Sequence, residues 1–302
     1  MKGLCVVKQD NHPSYCGLIA IVGRPNVGKS TLMNHLIGQK ISITSRKPQT
    51  TQYKIQGIHT QDNYQYVFVD TPGFQTRYIN KINTLLNQSV VSSLADIDVV
   101  LFVVEAGLFN EGDQNVLALL NQNHNVILVV NKEDKLKDPS QLKQFLKQMG
   151  ERFKFKRVCQ VSAKHHRGVD ELLVAVREFL PAADFLYAAD DLTNRSNTFM
   201  AQEIIREKLF RYLGEELPYN IAVTVNQFQT TDKLIRVAAT IWVERDSYKG
   251  IVIGKAGERL KKISSQSRLD MEKLYGNKVF LEVWVKVKAG LLDDKQFLEQ
   301  FI

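Results

Sequence analysis

Eight consecutive residues, GRPNVGKS from Gly23 to Ser30, constrain this chain more than any other feature. They fit G-x-x-x-x-G-K-[ST] and lie between an apolar β-rich run, GLIAIVG (17–23), and a helical pattern, TLMNHLIG. Glycines let such a loop curl until successive N–H groups point inward at phosphate oxygens, and the helix amino terminus adds its positive end. Lys29 is placed to reach the β and γ phosphates of a nucleoside triphosphate, and Ser30 to ligate Mg²⁺. On average residue usage the pattern arises by chance in roughly one per cent of chains of this length. A phosphate-binding α/β domain is therefore expected.

The 302 residues suffice for two compact domains of roughly 100–200 residues each. With 44% hydrophobic and 24% charged residues, the composition excludes a disordered or collagenous chain. Forty Lys and Arg against 32 Asp and Glu leave +8, a modest hint of an anionic partner such as nucleic acid or an acidic membrane surface. Cys5, Cys16 and Cys159 fall in no metal-ligand spacing and read as free thiols of a reducing compartment. The longest purely apolar run, Val99 to Val104, is far short of the ~20 residues that span a bilayer. The opening MKGLCVVKQD has too short an apolar stretch for a signal peptide, so a cytoplasmic location is expected.

From Cys16 to about Leu180, short apolar runs alternate with helical patterns, the rhythm of βα units around a parallel sheet. Besides 17–23, the strands are YQYVFVD (64–70), DVVLFVV (98–104) and NVILVVN (125–131). Three are near-continuous, as expected for strands buried on both faces, whereas 64–70 alternates and suits a place nearer an edge. Ligands of such sheets sit beyond the carboxyl ends of the strands. PAADFLYAADDLTNRSNT, from Pro181, is mixed, acidic and turn-prone and reads as a linker. After it come a helix from about Thr198 to Leu213 with Ile204, Ile205, Leu209 and Leu213 on one face, strands at 220–228 and 233–244, a helix from Gly257 to about Leu274, a strand at 278–288 and a short terminal helix. The expected organisation is a tail (1–16), a nucleotide domain (17–180), a linker (181–197) and a second domain (198–302).

Three further motifs follow strands. Asp70-Thr71-Pro72-Gly73 ends the 64–70 run, where Asp70 can hold the Mg²⁺ water shell and the Gly73 N–H can meet a γ-phosphate. Asn131-Lys132-Glu133-Asp134 carries the base preference. A carboxylate accepts two adjacent hydrogen bonds, and guanine offers such a pair at N1 and its amino group. Adenine sets an acceptor there instead, a costly mismatch in a buried site. Ser162-Ala163-Lys164 would cap the base through backbone N–H groups.

In this order the motifs resemble those of the translation-factor-related P-loop GTPases, and GRPNVGKSTLMN, TSRKPQTTQ, VDTPGF, NKED, SAK, EIIREKLF, GEELPY, VIGKAGERLKKI and LEVWVKVK narrow the resemblance to the bacterial Era family over almost the whole chain. It implies GTP and GDP as ligands, with Gly23, Arg24, Pro25, Asn26, Val27, Gly28, Lys29, Ser30 and Thr31 around the phosphates. Switch I would lie in Ser45 to Gln52, including Gln49, and either Thr50 or Thr51 can complete the Mg²⁺ shell while a γ-phosphate holds the loop; Thr51 aligns better with related switches. Gln52 stands where relatives often carry arginine. Phe74 occupies the place of the water-orienting glutamine of Ras-like proteins, and phenylalanine cannot orient water, so intrinsic turnover is expected to be slow. Related GTPases with an asparagine at Asn26 use it to hold K⁺; local loop bonding is the alternative for that residue, and an external arginine the alternative source of charge.

Ile253-Gly254-Lys255-Ala256-Gly257, followed by Arg259, Lys261 and Lys262 on a helix and then the strand KVFLEVWVKVK, resembles a KH domain, in which the G-x-x-G loop clamps a single-stranded backbone. Ala256 stands where many relatives have glycine. From Arg245 to Lys288, eleven Lys and Arg face five Asp and Glu. The fold expected is an α/β P-loop GTPase domain, its mostly parallel sheet covered by helices on both faces, plus an α+β type II KH domain. The family resemblance implies a monomer that binds the 3′ end of small-subunit rRNA and acts in 30S ribosomal subunit maturation, with peripheral inner-membrane association as a secondary role. The rival readings are an RNA-binding assembly chaperone with GTP as a structural ligand, and a membrane-associated regulatory GTPase; the basic cluster Arg152, Lys154, Lys156 and Arg157 fits lipid, rRNA or a solvated surface.

Overall fold

The computed structural model describes residues 13–45, 47, 55–70, 96–136, 138–214 and 217–291. Its first unit runs β1 (Tyr15–Val22), α1 (Lys29–Ile37), β2 (Ile55–Gln61), β3 (Tyr64–Asp70), β4 (Val99–Glu105), α2 (Glu111–Leu117), β5 (Val126–Asn131), α3 (Pro139–Arg152), β6 (Arg157–Val161) and α4 (Val169–Arg177). The six strands lie in the order β2-β3-β1-β4-β5-β6, all neighbours parallel except the β2–β3 hairpin. Successive side chains of a strand face opposite ways, so the near-continuous apolar runs feed two cores. Ile19, Ile21, Leu101, Val103, Ile127 and Val129 pack with α1 and α4, while Ala20, Val22, Val100, Phe102, Val104, Leu128 and Val130 pack with α2 and α3. The two-faced sheet expected from the strand composition is the one observed.

β3 stands one place in from the edge, and Gln65 to Asp70 are all buried. Its alternation comes from Gln65, a buried polar residue with a structural duty. The Gln65 Oε1 accepts from the Leu186 and Tyr187 N–H groups at 2.8 and 3.0 Å, and its Nε2 donates to Thr60 Oγ1 and the Tyr187 carbonyl at 3.1 and 2.9 Å. The segment after Pro181 is thereby strapped to the sheet. Farther along it, Ile58 N donates to the Leu192 carbonyl (2.9 Å) and Thr193 Oγ1 to the Gln56 carbonyl (2.7 Å).

The second unit runs α5 (Asn197–Tyr212), β7 (Ile221–Thr230), β8 (Ile235–Val243), α6 (Asp246–Ile253), α7 (Glu258–Tyr275) and β9 (Val279–Val287). Its sheet has the order β7-β8-β9, with β7–β8 antiparallel and β8–β9 parallel. The helices cover one face through Ile204, Ile205, Val237, Ile241, Val252, Ile263, Met271 and Val285. α6 is an element that the sequence pattern does not predict; its eight residues bury only Val252, too little to set a helical period. The terminal helix expected after residue 288 lies largely outside the described residues.

α5 differs from expectation in a more consequential way. The spacing predicts one apolar face, yet every residue from Phe199 to Phe210 is buried. Phe199 and Met200 belong to the first core and Ile204, Ile205 and Leu209 to the second, so the helix joins the units. Its charges must then be paired where water is scarce. Arg206 binds Glu203 through two bonds of 2.7 and 2.8 Å. Glu207, fully buried, meets Arg211 at 2.8 Å and Lys40 of the first unit at 2.5 Å. Lys40 also meets Asp270 of α7 at 2.8 Å, and Lys208 donates to the same carboxylate. Burial works against charge on Asp270, but the hydrogen bonds from Lys208 and Lys40 hold its carboxyl below the usual range. No described helix is long and apolar enough to cross a membrane.

Replacing Gln65 by leucine keeps the strand apolar but removes the acceptor of two backbone N–H groups. We expect Gln65→Leu to cost about 2 kcal/mol, read as a lower urea midpoint with an unchanged slope.

Candidate functional site

The loops after β1, β5 and β6 lie beyond the carboxyl ends of the strands, where β3 ends at Asp70. Asn131, the last residue of β5, ties the three loops. Its Nδ2 donates to the Val27 carbonyl at 2.8 Å, and its Oδ1 accepts from the N–H groups of Lys132 (2.8 Å) and Ala163 (3.0 Å). One buried carboxamide thus fixes the phosphate loop, the NKED turn and the SAK turn together. Gly28 makes the approach possible: its φ is +104°, and a Cβ there would stand 2.4 Å from Asn131 Nδ2.

Around the phosphate loop, Gly23 and Val27 are buried, while Arg24, Pro25, Gly28, Ser30 and Thr31 are half-buried. Lys29 lies along the loop floor, its Nζ donating to the Gly23 and Arg24 carbonyls at 2.9 and 3.0 Å. Burial pushes its amine down to about 8, against the opposing pull of Asp70. Arg24 leaves the loop sideways. Its Nε donates to Asp113 Oδ2 at 2.9 Å, and Asp113 belongs to the capping box that Asn110 makes at the start of α2. Asn26 is exposed at φ +63°, a left-handed conformation that asparagine tolerates, and its carbonyl accepts from Lys132 Nζ at 2.7 Å. The same Lys132 Nζ meets Glu105 at 2.6 Å, as does Lys135. Burial opposes charge on Glu105, but those two bonds hold its carboxyl below the usual range.

Asp70 is fully buried at the end of β3. Its Oδ2 accepts from Ser30 Oγ at 2.9 Å and from Ser42 Oγ at 2.7 Å. Ser42 is a residue that no motif marks. It is seated by Asn34, whose Oδ1 accepts from the Ile41 and Ser42 N–H groups at 2.9 and 2.8 Å. On the other side of the site, Ser162 Oγ donates to Asp134 Oδ1, and that bond holds the Asp134 carboxyl below its ordinary range. Ser162 therefore orients the carboxylate through its hydroxyl, whereas the sequence reading used only its backbone; Ala163 is buried and Lys164 exposed. Gln49, Thr50, Thr51, Thr71, Pro72, Gly73 and Phe74 lie outside the described residues.

In the second unit, Gly254, Ala256 and Gly257 have φ of +76°, +48° and +77°, so the chain turns sharply between α6 and α7. Ile253 is half-buried; Lys255, Arg259, Lys261 and Lys262 are exposed. Two of these cations have local partners: Arg259 donates to the Ile251 carbonyl at the end of α6, and Lys262 Nζ lies 4.8 Å from the Tyr212 ring centre. Ala256 holds a conformation that costs an L-residue roughly 1–2 kcal/mol relative to glycine, so its small side chain is a strained substitute rather than a neutral one.

Comparison with known proteins identifies the two units. A family described as "50S ribosome-binding GTPase" matches residues 18–132, and one described as "KH domain" matches 216–291. GTPase Era of Chromobacterium violaceum is 55% identical over 289 residues, covering 96% of this chain and 98% of the relative. GTPase Era of Neisseria meningitidis serogroup A is 55% identical over 287 residues, 94% of each chain. Two crystal structures, of an Aquifex aeolicus Era variant bound to GDP·AlF4⁻ and of Era with MgGDPNP and nucleotides 1506–1542 of 16S ribosomal RNA, each superpose at a TM-score of 0.88 with 32% identity, over 95% of this chain and 98% of theirs.

Relief of the loop strain is measurable. Ala256→Gly should raise stability by about 1 kcal/mol, the left-handed penalty less the added freedom of the unfolded glycine, seen as a higher thermal midpoint.

Proposed function

The chain belongs to the Era family of GTPases, and from that premise we propose that its nucleotide state governs a KH module which binds the 3′ end of 16S rRNA during 30S subunit maturation. GTP hydrolysis to GDP and phosphate is the activity of the first unit. The observation that carries the site assignment is the Asn131 staple, which sets phosphate-binding and base-reading loops in one place.

In this reading, the backbone N–H groups from Gly23 to Thr31 receive the phosphates, and Lys29 meets the β and γ oxygens. Ser30 and Asp70 present hard oxygens side by side, a donor set that fits Mg²⁺. Bound there, Mg²⁺ neutralises charge shared between the β and γ oxygens. Thr51 would complete the Mg²⁺ shell, and the Gly73 N–H would meet the γ-phosphate. Asp134, oriented by Ser162, accepts from guanine N1–H and the amino group, with Ser162, Ala163 and Lys164 against the base edge. Phe74 supplies no hydrogen bond to water, so turnover depends on K⁺ beside Asn26 or on an external group. The GxxG loop and Lys255, Arg259, Lys261 and Lys262 hold the RNA backbone. The protein acts as a cytoplasmic monomer with peripheral inner-membrane contact; the free thiols Cys16 and Cys159 accord with a reducing compartment.

The decisive measurement is GTP turnover of the full chain with and without a single-stranded RNA matching the 16S 3′ end, in K⁺ and in Na⁺. RNA should raise turnover, and an unchanged rate removes the coupling. Equal rates in the two cations remove the K⁺ role of Asn26.

Nucleotide affinity should also depend on pH. The free Lys29 amine titrates near 8, and bound phosphates raise that value, so affinity is full below pH 8 and falls as pH rises above it. Between pH 7 and 9 the GDP dissociation constant should increase about tenfold, measurable by calorimetric titration.

A further inference from the structure

Among the described residues, the helices of the second unit cover the inner face of its sheet. The outer face presents Arg236, Thr240 and Trp242 of β8 beside Phe280, Glu282, Trp284 and Lys286 of β9, paired in register as Arg236 with Phe280, Thr240 with Trp284, and Trp242 with Lys286. Phe280 and Trp284 are each 46% exposed, four residues apart on an edge strand. Large rings on a strand are ordinarily buried, so two of them open on one face require an explanation.

The surroundings of the rings are cationic and fixed. Arg236 lies 5.7 Å from the Phe280 ring centre, and Lys286 Nζ lies 5.8 Å from that of Trp242. Trp242 is held by its indole N–H, which donates to Thr224 Oγ1 at 2.9 Å, and Thr240 beneath donates to Asn226 at 2.9 Å. Glu282 is the one acid of the two outward rows, and Lys278 and Lys288 flank β9 in sequence. Protein-docking surfaces are depleted in lysine at their centres. Rings set among Lys and Arg match a polyanion whose bases stack.

We propose that this face is a second RNA surface, on which Phe280 and Trp284 stack bases of single-stranded RNA while Arg236 and Lys286 meet its phosphates. It rests on the RNA reading above and extends the footprint of the Gly254–Gly257 loop. α6, which ends in that loop, packs against the inner face of β8 and β9, and β9 is the edge of the sheet, so a strand leaving the loop would cross that edge to meet the ring pair on the outer face.

The test measures binding of two fluorescein-labelled single-stranded RNAs to the full chain with a GTP analogue: a short one that fills the loop clamp of about four nucleotides, and one about three times as long. The longer RNA should bind about tenfold tighter. Trp284→Ala should abolish that gain and leave short-RNA affinity unchanged, while Trp284→Phe, which keeps a ring, should retain it. In a Trp242→Phe background, the longer RNA alone should quench Trp284 fluorescence. A full length gain in Trp284→Ala without quenching overturns the proposal and leaves the face to a protein partner. If the unaltered chain binds neither RNA, the RNA reading itself fails.

Discussion

One carboxamide holds the nucleotide site together. Asn131 is buried at the end of β5 and divides its bonding capacity among the phosphate loop, the turn that follows it and the turn after β6. Each of those loops alone is a short irregular segment with many conformations open to it. Joined through one rigid amide they share a single arrangement, which fixes the Gly23–Ser30 loop relative to Asp134. Preorganisation of this kind removes an ordering cost from binding. Lys132 reinforces it from the side, crossing from its own left-handed position to the Asn26 carbonyl and to Glu105.

A second dependence runs from Asp70 to the other domain. Ser42 touches Asp70, and two residues earlier Lys40 is locked between Glu207 of α5 and Asp270 of α7. Gln39 Nε2 donates to the Leu274 carbonyl at 3.0 Å, and Lys47 Nζ to the Leu213 carbonyl at 2.7 Å, so the same segment caps the ends of both helices. Side chains that orient Asp70 and side chains that dock the KH unit thus occupy one stretch of chain between α1 and β2.

Much of the site was legible because its motifs are local. A loop that cradles phosphates needs its glycines and lysine at fixed spacing, and a guanine-reading carboxylate needs its place after a strand, so GRPNVGKS, Asp70, NKED and SAK are readable in one dimension. Ser42, Asn34 and Glu105 were not, because nothing in their spacing distinguishes them from surface residues; only the return of the chain past β3 and β5 brings them to the site. Gln65 gives β3 the alternation that suits a place near the sheet edge, where it stands, yet Gln65 itself is buried; α6 was too short for its period to register.

By itself the sequence determined the two domains, the mostly parallel sheet with both faces covered, the places of the GRPNVGKS, NKED and SAK motifs after their strands, and the GxxG turn, since each follows from residue type and periodicity over a few neighbours. The tertiary structure alone decided that α5 is buried on all sides with its charges paired, that the segment after Pro181 is strapped to β3 rather than free, that Ala256 is strained, and that Phe280 and Trp284 share an open face. These are properties of what lies across from a residue. Burial, pairing and exposure depend on partners that are hundreds of positions away in the chain, as Lys40 and Asp270 are, and no local pattern encodes them.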